Sequence, residues 1–216
     1  MEWRLLKDVP AEEVRQVVAI SRRRSFQKGE VVFHQGDPGD SLHLVVKGRF
    51  AVRIMTPLGD SVTIAVRGPG ENFGEMALAD PETRRSATVQ ALEPAETQAV
   101  YYGELERLRA KHPQISQVLI AFLSGALRRE NELLLEALYV PADRRLLRRL
   151  AELSTTYADA EGVIALTQEE LAQMAGTSRA TVNRVLREEE RRGTLELRRG
   201  RTVVLDAEAL ARRAAR

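Results

Sequence analysis

The feature that most constrains the fold is a change of periodicity near Tyr102. Before it, short runs rich in β-branched and aromatic residues alternate with glycine or proline turns, whereas after it apolar residues recur at helical spacing. Short strands at regular intervals predict an antiparallel sandwich or roll. The expected strands are Val31–Phe33, Leu42–Val46, Phe50–Met55, Val62–Val66, Ala87–Leu92 and Thr97–Tyr101. We therefore expect an α+β chain whose N-terminal part is an antiparallel β-roll, or jelly roll, preceded by short helices between residues 5 and 20.

A single long helix is expected after the roll, from Pro113 to Val140, where Pro141 interrupts it. Such a helix would be about 40 Å long, which is more than a small domain needs. One stripe of its residues alternates three and four apart, as in a coiled coil: Ile120, Leu123, Leu127, Glu130, Leu134 and Ala137. A second, roughly opposite stripe comprises Ile115, Leu119, Phe122, Ala126 and Leu133. Two apolar faces predict two partners, the roll and a second copy of the helix; the alternative is a helix buried within its own monomer.

The residues after Pro141 predict a winged helix-turn-helix. A leucine-rich helix leads into a polar loop at 154–162, and Thr167 and Glu170 then form a capping box. The helix that follows ends at Gly176, and a second helix begins at Ser178. Two short helices joined by a glycine turn are typical of a helix-turn-helix. The next segment, 195–205, has an arginine-rich tip between two short β-type runs and predicts a hairpin, the wing.

The second helix of this motif turns polar and basic side chains outward. Arg179 and Arg184 lie near its N-terminal half, which is the part that enters a DNA major groove in this type of motif. The candidate DNA-binding residues of the two helices and the wing are Thr167, Ser178, Arg179, Ala180, Thr181, Asn183, Arg184, Arg187, Arg199 and Arg201.

The distribution of charge also points to the C-terminal end of the chain as the part that binds DNA. The net charge is +2, but residues 1–140 carry 18 basic and 19 acidic side chains, whereas residues 141–216 carry 15 and 12. The basic excess therefore lies in the C-terminal third, and nearly all of it is arginine, which suits bidentate contacts to phosphate and guanine.

Several classes of protein are disfavoured by composition. The chain has no cysteine, so disulfides, zinc fingers and cysteine-held iron–sulfur clusters are excluded. A metal-dependent cupin enzyme needs two histidines one residue apart on a strand, but His34, His43 and His112 are widely separated. We therefore expect no metal and no enzymatic activity, and we interpret His34 and His43 as turn or core residues and His112 as an N-cap. Without an apolar run of about 18 residues or a signal peptide, we expect a cytoplasmic protein and no membrane contact.

One segment of the roll, Gly68–Thr88, has the features of a pocket for a small phosphorylated ligand. Gly70 and Gly74 let the backbone approach a ligand closely, and Glu75 opens a one-turn segment, Met76–Ala79, whose free N–H groups suit an anion. The chain then returns extended, which would place Arg85 and Ser86 across from Gly74 and Glu75. A guanidinium, a hydroxyl and exposed amides suit a phosphate, and a carboxylate suits a ribose hydroxyl.

With Gly74 and Arg85 eleven residues apart, this segment resembles the phosphate-binding cassette of the cyclic AMP receptor protein (CRP/FNR) family of bacterial regulators. The resemblance continues at Gly176–Leu186, which is similar to the family's recognition helix. It implies that Gly74, Glu75, Met76, Arg85 and Ser86 contact the ribose and cyclic phosphate. It also implies that the long helix closes over the base, with Glu130 and Asn131 at positions where the family has small hydroxyl residues. The ligand is therefore expected to be cyclic AMP, with cyclic GMP, another nucleotide or no ligand as alternatives.

The resemblance also implies how the DNA end works. Arg179 and Arg184 would each recognise a guanine, and each bidentate contact contributes about 1 to 3 kcal/mol of discrimination. Ala180 stands where well-known family members have a glutamate that accepts from cytosine, so less selectivity is expected at that base pair. Arg22 and Arg24 fall, just before the first strand, on a surface that contacts RNA polymerase in the family.

The sequence thus predicts three segments: a cyclic-nucleotide-binding roll at 1–112, a dimerisation helix at 113–140 and a winged helix-turn-helix at 141–216. We expect a homodimeric regulator gated by cyclic AMP, with partners double-stranded DNA and RNA polymerase. Ligand binding would change the pairing of the two long helices and move the recognition helices about Pro141, on half-sites about 34 Å apart. The alternatives are a ligand-independent regulator of the same family and a nucleotide-binding module that controls a protein partner.

Overall fold

The structure, a computed structural model, describes residues 10–55, 59, 61–78, 82–156 and 162–215, except for the side chains of residues 114, 118, 119, 122 and 156. The chain divides into two units, residues 1–61 with 65–130, and residues 62–64 with 131–216. No described helix has the length and apolarity needed to cross a membrane.

Two antiparallel sheets form the roll, which belongs to the first unit apart from residues 62–64. Its strands are β1 (Arg22–Phe26), β2 (Val31–Phe33), β3 (Ser41–Lys47), β4 (Phe50–Met55), β5 (Ser61–Arg67), β6 (Asn72–Phe73), β7 (Thr88–Ala91) and β8 (Ala95–Tyr101). Within the described residues, the strand orders are β1-β8-β3-β6 and β2-β7-β4-β5. The expected antiparallel β-roll is therefore confirmed.

Alternation along β3 separates two cores, because successive side chains of a strand point to opposite faces. Leu42 and Leu44 join a cluster with Val17 of helix α1 (Ala11–Ala19) and Leu105 of helix α2 (Tyr102–Lys111). Val45 instead packs in the other cluster, between the sheets. That inner cluster also contains Phe26, Phe50, Phe73, Val89, Ala91 and Ala95.

Strand β1 corrects the sequence-based expectation at the arginine triplet. Arg22, Arg23 and Arg24 do not precede the first strand but form part of it, paired antiparallel with β8. The three arginines are exposed, and β1 lies at an edge of its sheet, where charged side chains protect against further strand pairing. Arg22 and Arg23 form ion pairs with Glu104 and Glu96. Because β1 reads Arg-Arg-Arg-Ser-Phe, it lacks the run of β-branched and aromatic residues from which the other strands were predicted.

The long helix is also confirmed, with different bounds. Pro113–Ile115 forms a 3-10 turn, and helix α3 runs over Ser116–Tyr139. His112 precedes this turn, as predicted, and its carbonyl oxygen accepts from the backbone N–H of Ile115 at 2.9 Å. His112 is also the C-cap of α2, a helix that was not predicted.

The second unit contains the expected winged helix-turn-helix. Its elements are α4 (Ala142–Thr156), β9 (Val163–Ile164), α5 (Gln168–Ala175), α6 (Arg179–Arg191), β10 (Leu195–Arg198), β11 (Arg201–Val204) and α7 (Ala207–Ala215). The three strands form a sheet of order β10-β11-β9. Leu146, Leu150 and Leu171 are fully buried, as the spacing of leucines predicts. Helix α7 was not predicted; it packs on α4 and buries Leu210 and Ala214.

Candidate ligand and DNA sites

Arg85, which the sequence predicts to bind the phosphate, is a buried and hydrogen-bonded cation of the roll. Its residue is only 6% exposed. Its Nη1 donates to the carbonyl oxygen of Ser41 at 2.6 Å, and its Nη2 donates to Ser41 Oγ at 2.9 Å and to Asp40 Oδ1 at 3.0 Å. The guanidinium also lies 3.9 Å from the centre of the Phe33 ring. Burial lowers the pKa of Arg85, which the Asp40 carboxylate partly opposes.

One N–H group of this guanidinium, at Nε, has no acceptor among the described residues. Arg85 Nε is also buried. An unpaired buried donor costs about 1 to 3 kcal/mol, so the site favours an additional acceptor. A phosphate oxygen has the charge and lone pairs that this position calls for.

The other residues of the predicted cassette surround Arg85 to different degrees. Gly74 is adjacent: its carbonyl oxygen lies 3.5 Å from Arg85 Nη1. Glu75 is half-buried, begins a 3-10 turn over Glu75–Leu78 and accepts a hydrogen bond from Asn72 Nδ2 at 3.2 Å. Met76 and Ser86 are exposed. The predicted end of the turn, at 79–81, lies outside the described residues.

A cavity of about 370 Å³ opens within the roll beside Arg85. Phe33, Asp40, Ser41 and His43 line this cavity with Arg85. Arg85 is the one described residue of the cassette that does so. His43 is buried, its ring stacks on Phe73, and its Nδ1 lies 3.0 Å from Thr97 Oγ1. Burial, reinforced by the positive charge of Arg85, lowers the pKa of His43 to about 3. His43 is therefore a neutral core residue at neutral pH, in agreement with its interpretation as a turn or core histidine, and His34 lies exposed in a turn.

Helix α3 carries the two residues that were assigned to the base of the ligand. Glu130 and Asn131 are both exposed. The preceding residue, Arg129, is half-buried and was not predicted as a site residue. Burial and the neighbouring Arg67 lower the pKa of Arg129, whereas Glu75 and Glu71 raise it. Arg129 therefore lies within electrostatic range of Glu75.

In the second unit, the two helices of the helix-turn-helix begin as the sequence predicts. Thr167 Oγ1 accepts from the backbone N–H of Glu170, whose carboxylate accepts from the backbone N–H of Thr167, so the capping box is confirmed. Gly176 adopts the left-handed conformation, with φ 58°, and ends α5. Ser178 caps α6 by accepting from the backbone N–H of Thr181 at 3.1 Å.

Helix α6 has a buried apolar face and an exposed face that is mostly polar and basic. Val182, Val185 and Leu186 are buried. The exposed face carries five of the ten predicted DNA contacts: Arg179, Ala180, Asn183, Arg184 and Arg187. These side chains are therefore accessible to a partner.

Three of these exposed side chains have side-chain partners within the second unit. Asn183 Nδ2 donates to Gln168 Oε1 at 3.3 Å. Arg184 Nη2 donates to both oxygens of Asp143, at 2.7 Å each. Arg187 donates to Glu190 at 2.9 Å. Arg199 and Arg201 lie exposed at the turn between β10 and β11, which confirms the basic tip of the wing.

Comparison with known proteins finds two family models that match this chain. Residues 23–112 match the family model described as "Cyclic nucleotide-binding domain", and residues 144–213 match the "Crp-like helix-turn-helix domain". A cyclic AMP receptor protein of Thermus thermophilus is 35% identical over 210 residues, covering 95% of this chain and 94% of the relative. A CRP-like cAMP-activated global transcriptional regulator of Mycobacterium tuberculosis is 32% identical over 194 residues, covering 88% and 86%. The chain belongs to the CRP/FNR family of transcription regulators.

Solved structures of CRP/FNR proteins share the fold. The catabolite activator protein of Thermus thermophilus matches with a TM-score of 0.54 at 33% identity, over 98% of each chain. The c-di-GMP responsive regulator CLP of Xanthomonas campestris matches with a TM-score of 0.71 at 24% identity, over 90% of this chain and 98% of that one, which supports the fold alone. As a CRP/FNR protein, this chain is a DNA-binding transcription regulator with a cyclic-nucleotide-binding domain.

Sequence reasoning missed the residues that orient the basic side chains of this CRP/FNR protein. Asp40 and Ser41 are more than forty positions from Arg85 in the chain, and Asp143 is 41 positions from Arg184. A short acidic or hydroxyl residue outside a motif gives no indication of such a partner. Among the described residues, no three His, Cys, Asp or Glu side chains converge to hold a metal ion.

Proposed function

We propose that this protein is a homodimeric transcription regulator whose affinity for a near-palindromic operator is gated by cyclic AMP. Binding of a cyclic nucleotide is supported mainly by the buried Nε of Arg85, which has no hydrogen-bond partner among the described residues. Asp40 and Ser41 hold the rest of the guanidinium, so the side chain is oriented before the ligand arrives. A cyclic phosphate oxygen would accept from Nε without reorganising the site.

The remaining contacts follow from the chemistry of a cyclic nucleotide. Glu75 would accept from the ribose hydroxyl, and Ser86 and the backbone at Gly74 and Met76 would bind the phosphate. Asn131 can donate to and accept from an adenine edge, and Glu130 can accept from its exocyclic amine. Cyclic AMP is the effector we favour because relatives at 32% and 35% identity are named for it.

The homodimer is supported by the surface of α3. In one chain, Ile120, Leu127 and Leu134 are 54%, 63% and 58% exposed, and Leu123 is 38% exposed. All four belong to the stripe that was predicted to pair with a second copy. A helix buried in its own monomer would cover these side chains, so their exposure favours a second α3 as the partner.

Contact with RNA polymerase is proposed for the surface around Arg22 and Arg24. Both side chains are exposed, but Glu104 pairs with Arg22, whereas Arg24 donates to the hydroxyl of Tyr101 at 3.1 Å. Arg24 therefore keeps more of its positive charge for a partner. Reversal of Arg24 to Glu should reduce transcription activation more than reversal of Arg23, with DNA affinity unchanged in both; equal activation by both variants would contradict this contact.

The decisive experiment is calorimetric titration of extensively dialysed protein with cyclic AMP and, for comparison, cyclic GMP. Micromolar binding of cyclic AMP alone, at one per chain, would support the proposal. The Arg85→Leu variant should lose this binding and the ligand's effect on DNA affinity. Arg84→Leu is the matched control, because Arg84 is exposed and adjacent in sequence.

Two outcomes would change the proposal. Undiminished stimulation of DNA binding in Arg85→Leu would refute the assignment of the phosphate site. Absence of heat with either nucleotide, in protein that still binds DNA, would support the ligand-independent alternative. The DNA assignment itself requires that affinity fall steeply with added salt, because phosphate contacts release counterions.

A further inference from the structure

The recognition helix contains an arginine that is held by a residue outside the helix-turn-helix. Arg184 lies on α6 and Asp143 in the first turn of α4. Arg184 Nη2 donates to Asp143 Oδ1 and Oδ2, at 2.7 Å each. The side chains are 57% and 45% exposed, so the ion pair lies on the surface that DNA would approach.

The hydrogen bonds to Asp143 are made by Nη2 alone among the nitrogens of the guanidinium. The Nη1 of Arg184 lies 4.0 Å from the nearest oxygen of Glu188, beyond hydrogen-bonding distance. Within the described part of the chain, Nε and Nη1 of Arg184 make no hydrogen bond. Nη2 has two N–H groups, one on the edge that it shares with Nε and one on the edge that it shares with Nη1, so a carboxylate on the Nε side leaves the Nη1–Nη2 edge for a base. An arginine needs a fixed plane to donate to the O6 and N7 atoms of guanine together. A carboxylate that fixes one edge reduces the freedom lost when the other edge binds a base.

The same carboxylate affects non-specific binding. Long arginine side chains at a protein–DNA surface commonly contact phosphates, which contributes affinity but no sequence information. While Arg184 is paired with Asp143, its charge is largely neutralised, and Asp143 itself repels the DNA backbone. The ion pair should therefore weaken binding to random DNA and raise the ratio of specific to non-specific affinity.

We propose that Asp143 is a specificity-determining residue that holds Arg184 in position to recognise one guanine and withholds it from the phosphate backbone. This inference rests on the proposed function, since it requires that α6 recognises DNA. It assigns a positioning role to a residue of α4 that sequence analysis did not select.

The test is selection from a random duplex DNA library, with and without cyclic AMP, by the full-length protein and four variants. Asp143→Ala removes the carboxylate, and Asp143→Asn removes its charge but keeps one acceptor oxygen. Arg184→Ala identifies the base position that Arg184 recognises. Glu208→Ala is the matched control: it also removes an acid from the first turn of a helix, α7, and Glu208 pairs with Arg212 rather than with α6.

We expect Asp143→Ala to reduce the guanine preference at the Arg184 position by at least about fivefold, as loss of a good bidentate contact would. Affinity for random DNA should rise about twofold or more, because one repelling charge is removed and one arginine released. Asp143→Asn should show the same gain in random-DNA affinity with a smaller loss of preference, and Glu208→Ala should leave the preference unchanged. A structural defect alone would lower both affinities.

The outcomes separate the inference from the proposed function. If the wild-type protein selects no sequence under either condition, the proposed function fails. If the wild type selects an operator and Arg184→Ala loses one position, but both Asp143 variants keep the wild-type preference within about twofold, the role of Asp143 is refuted while DNA recognition stands.

Discussion

Arg145 of α4 donates through Nη2 to the carbonyl oxygen of Gly176, the residue that ends α5, at 2.7 Å. Its Nε donates to the carbonyl of Ala175 at 2.8 Å, and its Nη1 donates to the carbonyl of Val140 at 2.7 Å. One guanidinium therefore binds the C-terminal carbonyls of α5 and the chain just after α3. Those carbonyls lack partners within their helices, and a cation at a helix C-terminus is favoured by the helix dipole.

Replacement of Arg145 by alanine should therefore loosen the helix-turn-helix. We expect a loss of about 1 to 3 kcal/mol in the free energy of local opening, because hydrogen bonds to a charged donor are removed. Hydrogen exchange of the backbone amides of α5 and α6 measures this directly. Arg144→Ala is the control, since Arg144 is exposed on the same helix; equal protection in the two variants would show that Arg145 holds nothing in place.

Gly74 tests the geometry around Arg85. Its φ is +81°, and a Cβ there would lie 2.6 Å from Arg85 Nη1 and 2.9 Å from the carbonyl oxygen of Ser41. Gly74→Ala should thus displace the guanidinium and weaken cyclic AMP binding at least about tenfold, measured by calorimetry. The protein should also be less stable to heat.

Gly29→Ala is the control that distinguishes backbone strain from displacement of the Arg85 guanidinium. Gly29 has nearly the same φ, +83°, but an added Cβ would meet no atom within 4 Å. Both variants incur the cost of a left-handed residue, about 1 to 2 kcal/mol, but only Gly74→Ala should lose ligand affinity. If Gly74→Ala and Gly29→Ala bind cyclic AMP with equal affinity, the close approach of Gly74 to Arg85 does not fix the guanidinium.

His43 should make the roll sensitive to acid. Burial lowers its pKa to about 3 from an ordinary value of 6.5, so the unfolded chain binds a proton that the folded chain does not. Stability attributable to this residue is complete above pH 6.5 and declines as the pH falls from there towards 3. The loss between pH 7 and pH 5 should be about 2 kcal/mol.

Urea unfolding of the roll at pH 7 and pH 5 measures this loss. His43→Gln, which cannot titrate, should show a pH dependence smaller by about 2 kcal/mol. His34→Gln is the control, because His34 is exposed in a turn. If His43→Gln retains the wild-type pH dependence, another group is responsible for it.

The sequence predicted most of the strands because they are short runs rich in β-branched and aromatic residues between glycine or proline turns. It predicted α3 because its apolar residues recur at helical spacing. Strand β1 escaped prediction because its arginines are stabilised by ion pairs rather than by burial. Helix α7 escaped because its pattern is mostly alanine and arginine, and its buried residues, Leu210 and Ala214, become meaningful only when α4 packs against them.

In the candidate sites, too, the residues within local motifs could be predicted, whereas their partners elsewhere in the chain could not. Arg85 and the outward face of α6 could be predicted because local motifs contain them. Their partners could not, because Asp40 and Asp143 reach Arg85 and Arg184 only through the tertiary fold. A single sequence records which side chains carry charge, but the pairing that orients those charges depends on long-range topology.

The exposed stripe of α3 should hold two chains together. Leu127 and Leu134 are 63% and 58% exposed in one chain, so replacing both by lysine should leave each chain folded. In a dimer, however, the same substitutions would bury four ammonium groups, which should weaken association at least about a hundredfold. Sedimentation should then show the 24.2 kDa monomer where the wild type shows twice that mass. Leu205→Lys is the matched control, since Leu205 is 60% exposed but lies outside α3; a wild type that sediments as a monomer at micromolar concentration would contradict the dimer itself.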